Sequence, residues 1–314
     1  MLYQIYHHTH YSYHQPVFLK PHRLRLSPRS DGWQSLQQFS LQVFPQPQGI
    51  AEVTDLDGNH IQRIWFVEPT ETLEITVTSQ VLTQMENPFN FLLEPWALTL
   101  PFDYPLSLYR QLKPYWYPYS MVPDPTVITL AQDIALATQH QPLDFLYTLT
   151  QRLYQECDYT LREHGQPWEA GITWRNKRGS CRDLTILFME VCRTMGLAAR
   201  FVSGYQEGDQ ATEDWELHAW AEVYLPGGGW RGYDPTHGLA VSDRHIALVA
   251  SPNPQDCAPV TGEMMPVRSL RETGNPLKST MSTMVKVTTF TPTQQQGSGW
   301  QSQSQSAPPA EVRG

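Results

Sequence analysis

Residues 179–238 constrain this chain more than any other stretch. After Cys181, apolar residues fall at Leu184, Leu187, Phe188, Val191, Cys192 and Met195. That i, i+3, i+4, i+7 spacing predicts a helix with one buried face. Ser180 is placed as its N-cap, Asp183 complements the positive first turn, and Gly196 stops it. A cysteine therefore heads the helix, where the dipole favours thiolate over thiol.

Strands follow. Residues 199–205 are apolar and aromatic and end in turn-prone chain. From His218 to Leu225 the pattern alternates, with His218, Trp220, Glu222 and Tyr224 on one face and Ala219, Ala221, Val223 and Leu225 on the other. Pro226-Gly227-Gly228-Gly229 reads as a turn, and 230–234 returns. With 225–229 as the loop, Tyr224 faces Trp230 and Trp220 faces Asp234. Asp234 is then a diagonal neighbour of His218 on one face, within reach of its ring. A slip of one residue would put the two on opposite faces.

A nucleophile, a base and a group that orients the base are the parts of a thiol acyl-transfer site. Each residue alone has a blander reading. A cysteine heading a helix is commonly a small buried hydrophobe, a strand histidine a structural hydrogen-bonding residue, and an aspartate before proline a turn former. It is the three together, in this order and context, that point to chemistry. Nothing local sets the distance from Cys181 to His218, which only the fold can supply.

The matching pieces are Gly179-Ser180-Cys181-Arg182-Asp183, the 195–205 segment, His218-Ala219-Trp220-Ala221-Glu222-Val223 and Gly232-Tyr233-Asp234-Pro235-Thr236. On these residues the chain resembles the transglutaminase-like superfamily, and within it the bacterial branch with an extra N-terminal β-domain. The resemblance implies Cys181 as nucleophile, His218 as base and Asp234 as acid. It also implies a papain-like core. Two positions depart from the pattern. Arg182 stands where glutamine is common after the nucleophile, which changes the cleft lining. His237 follows Asp-Pro-Thr where asparagine is more usual. Trp174 could lie near the oxyanion, as indoles do in the family, or simply pack in the cleft; the backbone N–H of Cys181 is the safer oxyanion donor.

The flanking sequence gives the organisation. With 314 residues the chain is long enough for two domains. Residues 1–85 carry alternating strands at 1–13, 23–26, 36–44, 61–67 and 73–82, with Asp55-Leu56-Asp57-Gly58-Asn59 as a hairpin turn rather than a calcium loop. They predict an antiparallel β-domain, a sandwich by pattern. Residues 86–125, rich in proline and aromatics, form a connector packed between domains. Residues 126–290 form the catalytic core, opening with helices at 128–140 and 142–154 and ending in a closing strand at 284–290. Asp256 to Gly262 resembles a further family segment expected at the cleft edge. Residues 291–314 lack apolar anchors and are expected to be disordered.

Composition excludes several functions. A net charge of −9 argues against nucleic acid or an anionic membrane as partner. The four cysteines show no Cys-x-x-Cys spacing, and His7, His8, His10 and His14 read as a solvated strand face, so neither metal nor other cofactor is expected. No signal peptide and no membrane span is evident, which predicts a cytoplasmic protein with reduced thiols. The sequence therefore reads as α+β, with an N-terminal antiparallel β-domain followed by a helix packed on an antiparallel sheet. The function expected is a thiol-dependent acyl transfer on peptide or protein amides. Hydrolysis by a cysteine peptidase or amidase is the first reading, because the chain lacks the further large domains and acidic metal clusters of calcium-dependent crosslinkers. Amine transfer by a transglutaminase and an inactive peptide-binding scaffold are the alternatives. Substrate identity and oligomeric state are not legible in one chain.

Overall fold

The computed structural model describes residues 1–119, 122, 124–162, 165–207, 217–267 and 278–290. The expectations for the loop after Glu207 and for the 291–314 tail lie outside the described residues.

The N-terminal chain forms β1 (Leu2–Leu19), β2 (His22–Leu24), β3 (Gln34–Phe44), β4 (Gly49–Thr54), β5 (His60–Trp65) and β6 (Thr70–Thr83). Strict alternation puts Tyr3, Ile5 and His7 of β1 and Leu73, Ile75, Val77 and Val81 of β6 inside. β3, β6 and β1 lie side by side and antiparallel. β4 and β5 are joined by the expected hairpin turn, in which Asp55 accepts from the backbone N–H groups of Asp57 and Asn59.

After β6 come α1 (Leu106–Leu112), α2 (Pro125–Ala137) and α3 (Pro142–Glu156). α2 stops short of the expected residue 140 because Gln139 and His140 turn left-handed, with φ of 52° and 60°. The aromatics of the connector pack on one another edge-on, and Trp116 donates its indole N–H to Gly196 O at 3.0 Å. Then come β7 (Asp158–Tyr159), α4 (Ala170–Asn176), β8 (Arg178–Gly179) and α5 (Cys181–Thr194). α5 is buried on more than the one face its pattern predicts. Glu190 and Arg193 are also inside, paired at 3.2 Å, and Arg193 donates to the carbonyls of Tyr115, Ala199 and Pro252. α5 packs on β9 (Ala199–Gln206) and β10 (Leu217–Leu225), which lie in an antiparallel sheet with β11 (Gly229–Asp234), β12 (Leu239–Ala240) and β13 (His245–Ser251).

Two expectations for the C-terminal part are corrected. β14 (Val260–Thr261) pairs with β2, and β15 (Met264–Pro266) with β1. The segment from Asp256 to Gly262 thus leads into the N-terminal sheets rather than edging the cleft. β16 (Ser279–Phe290) pairs with β1 from Leu2↔Phe290 to Tyr13↔Ser279. The unit expected at 126–290 therefore ends near residue 258, and the closing strand belongs to the N-terminal sheet. The physical reason is an edge: without β16, one side of β1 would expose a long row of unpaired backbone groups.

β13 is an edge strand of the core sheet, and side-chain amides from the N-terminal unit close it. Gln34 donates Nε2–H to Ala247 O at 2.9 Å and accepts from Ala247 N at 2.8 Å. Asn59 does the same with Ala250, at 2.8 and 2.9 Å. All four protein groups are buried, so these pairs replace a neighbouring strand and tie the two units together. His7, whose Nδ1 lies 2.7 Å from the Tyr205 hydroxyl of β9, is a third tie. Among the described residues, no helix is long and apolar enough to cross a membrane.

Candidate active site

Cys181 is the first residue of α5 and is partly exposed, whereas Cys157, Cys192 and Cys257 are buried. The helix start is clamped by Asp183, which is fully buried. Its carboxylate accepts from the backbone N–H and hydroxyl of Ser180, each at 2.8 Å. It also accepts from Trp168 N and from Arg162 Nη1 at 2.7 Å. Burial alone would push the Asp183 pKa up, but Arg162 and these N–H groups outweigh it and hold the carboxyl low. Gly179 must be glycine, because a Cβ there would sit 2.8 Å from the Asp183 Cβ. The departure at Arg182 also has a structural account: its guanidinium donates to the carbonyl of Arg162 at 2.7 Å and steadies the same loop.

His218 and Asp234 come together through the hairpin. The observed register pairs Tyr224 with Trp230 and Ala221 with Tyr233, as the alternation requires. His218 Nε2 donates to Asp234 Oδ2 at 2.8 Å. That leaves Nδ1 for the Cys181 thiol, which is hydrogen-bonded to the same imidazole. Opposite His218 on β9 lies Gly204, and a Cβ there would meet the Ile246 carbonyl at 2.2 Å and the Trp220 ring at 2.5 Å. The missing side chain lets the Trp220 indole lie beside the His218 ring. Burial opposes charge on His218, but Asp234 and Cys181 outweigh it and push the imidazole up to about 10. Burial also works against the Asp234 anion, yet His218, His237 and His245 hold its pKa well below the usual carboxylate range.

Two histidines on Asp234 were not foreseen. His237 donates from Nδ1 to Asp234 Oδ2 at 2.9 Å. His245 reaches the same oxygen from Nε2 at 3.2 Å. The local signal for His237 is the turn after the strand, in which Asp234 Oδ1 accepts from the N–H groups of Thr236 and His237 at 2.9 and 3.3 Å. His245 has no local signal, since strand β13 brings it in from eleven residues on. It is enclosed, and burial lowers its pKa, so it serves as a neutral donor. His218 Nε2, Asp234 Oδ2 and His237 Nδ1 all lie within 4.8 Å of one another, a set of atoms able to ligate a metal ion. Trp174 packs partly buried against the core, with Lys177 Nζ 2.8 Å over its ring and Arg152 at 5.5 Å.

Comparisons with known proteins bear on both units. Residues 3–82 match the model described as the bacterial transglutaminase-like N-terminal region. Residues 128–235, which include Cys181, His218 and Asp234, match that of the transglutaminase-like superfamily. An uncharacterised protein of Mycobacterium tuberculosis is 28% identical over 280 residues, covering 83% of this chain and 86% of its own length. A protein-glutamine gamma-glutamyltransferase of Pseudomonas aeruginosa is 29% identical over 127 residues, 37% of this chain and 19% of that enzyme. Among solved structures, a candidate cysteine protease of Cytophaga hutchinsonii superposes with a TM-score of 0.68 at 20% identity, over 93% of both chains. At that identity the likeness speaks for the fold.

Proposed function

The chain belongs to the transglutaminase-like superfamily, and from that premise we propose that it is a thiol-dependent acyl-transfer enzyme acting on peptide or protein amides, with water as the acceptor. One observation carries the reading: a helix-start cysteine, the two ring nitrogens of His218 and a buried Asp234 stand in one hydrogen-bonded line. Asp234 raises the basicity of His218, so the proton favours the imidazole over the sulfur. The thiolate attacks an amide carbonyl, and the backbone N–H of Cys181, the first residue of α5, is the donor for the developing oxyanion. The His218 imidazolium then protonates the departing amine. Water, activated by the now neutral imidazole, releases the acid and restores the thiol. Asp234 keeps the ring in orientation throughout.

Cys181 is partly open to solvent, which gives water, the most abundant nucleophile, access to the acyl-enzyme. Transfer to an amine is the second reading, favoured by the match of the core to a gamma-glutamyltransferase. Mass spectrometry of peptide libraries incubated with the protein, with and without an added amine, tests both. Cleaved or deamidated peptide is expected in either case. Amine-joined product as the main species would replace hydrolysis by transfer. Unchanged peptides, with Cys181 intact, would leave the scaffold reading.

A further inference from the structure

We propose that His218, Asp234 and His237 also form a binding site for a divalent transition-metal ion such as zinc. The claim stands on geometry and does not depend on the acyl-transfer reading above. Asp234 Oδ2 lies 2.8 Å from His218 Nε2 and 2.9 Å from His237 Nδ1. A tetrahedral zinc ion with bonds of about 2.0–2.1 Å keeps its ligand atoms roughly 3.3 Å apart, so each nitrogen–oxygen gap widens by only a few tenths of an ångström. Two imidazoles and one carboxylate suit zinc and its neighbours better than calcium or magnesium, which favour all-oxygen shells.

The surroundings fit. Asp234 Oδ1 is pinned by the N–H groups of Thr236 and His237, and His245 holds Oδ2 from within the fold. The His237 side chain is 41% exposed while that of Asp234 is wholly buried, so an ion enters past His237 and keeps a water on its open side. The ion takes the place of the hydrogens that now lie between Asp234 Oδ2 and the two ring nitrogens, and each displaced proton passes to solvent or to the other nitrogen of its own ring.

The test uses the full chain with Cys181→Ala, which removes sulfur as a competing ligand. Metal-free protein is titrated with zinc chloride against a chromogenic chelator. About one equivalent should bind, and His237→Ala in the same background should weaken it by about 10–100-fold. Binding that survives His237→Ala, for instance at His8 and His10 on β1, overturns the site, as does absence of binding. Zinc K-edge absorption on the parent variant keeps the test open should the double variant fail to fold. Two imidazoles and no sulfur are expected, and fewer than two overturn it.

Discussion

Replacing Asp234 by Asn separates the two forces on His218. The ring is nearly enclosed, with 10% of its side chain exposed, and burial by itself would lower its pKa. A carboxylate at 2.8 Å reverses that, helped by the thiol, and the midpoint moves from 6.5 to about 10. A move of that size corresponds to about 5 kcal/mol in favour of the charged ring. The sign is that of a raised histidine: the stabilisation is complete below pH 6.5 and is lost as pH rises through about 10. A Cys181→Ala background removes the contribution of the sulfur. Asn then removes the charge but keeps the shape, so burial acts unopposed and the midpoint should fall below 6.5. Stability at pH 7 should drop by about 3–5 kcal/mol, because one partner of a buried pair is gone. NMR of protein labelled at histidine Cε1, with His218 assigned by its own replacement, reads the midpoint; urea unfolding reads the stability. In Cys181→Ala, the His218 signal should stay that of the protonated ring from pH 5.5 to 8.5. A midpoint near 6.5 there, or no change on adding Asp234→Asn, would refute the claim that Asp234 sets the protonation of His218.

Three further outcomes are expected. Asn59→Ala strands the buried N–H and C=O of Ala250, whereas Gln34→Ala strands the N–H of Ala247, whose carbonyl still accepts from Arg29 N, so they should cost about 2–3 and about 1–2 kcal/mol in urea unfolding; losses below about 0.5 kcal/mol would mean that these amides do not hold the units together. Burial lowers the His7 pKa to about 4, so its stabilising neutral form is lost as pH falls from 6.5 through 4, at a cost of about 3 kcal/mol; His7→Asn should flatten that part of the pH–stability curve, and an unchanged slope would contradict the assignment. Iodoacetamide at about pH 6 should label Cys181 first, since burial pushes Cys157 up to about 11 and raises Cys192 and Cys257 too; peptide mapping that finds any of those three ahead, or a rate unmoved by His218→Ala, would make Cys181 a structural residue.

What could be read from the sequence follows the length of chain over which each contact is set. The His218–Asp234 pair was legible because a short Gly-rich turn and a period of two fix the register over 16 residues. The start of α5 was legible for the same reason, since Ser180, Cys181 and Asp183 act within one turn. The role of Asp183 was only half visible: its complement to the helix dipole is local, but Arg162 and Trp168 N come from a loop whose course no pattern gives. The membership of β16 was illegible for a stronger reason. Its partner lies more than 260 residues away, and apart from Val285 and Val287 the strand is largely exposed, so its own sequence marks no face as belonging to either unit.

The same logic applies to His245 and to the amide pairs on β13. Gln34 and Asn59 look like ordinary turn and strand-end residues, because an amide that mimics a strand differs from one in water only by what the fold brings beside it. These contacts converge on β13, which carries His245 to Asp234 at one end and meets Gln34 and Asn59 along its free edge. The N-terminal unit therefore braces the strand that helps to hold Asp234. That gives a physical reason for the two units to occur in one chain: an edge strand left open beside the acid would be free to fray, and the geometry around Asp234 would loosen with it.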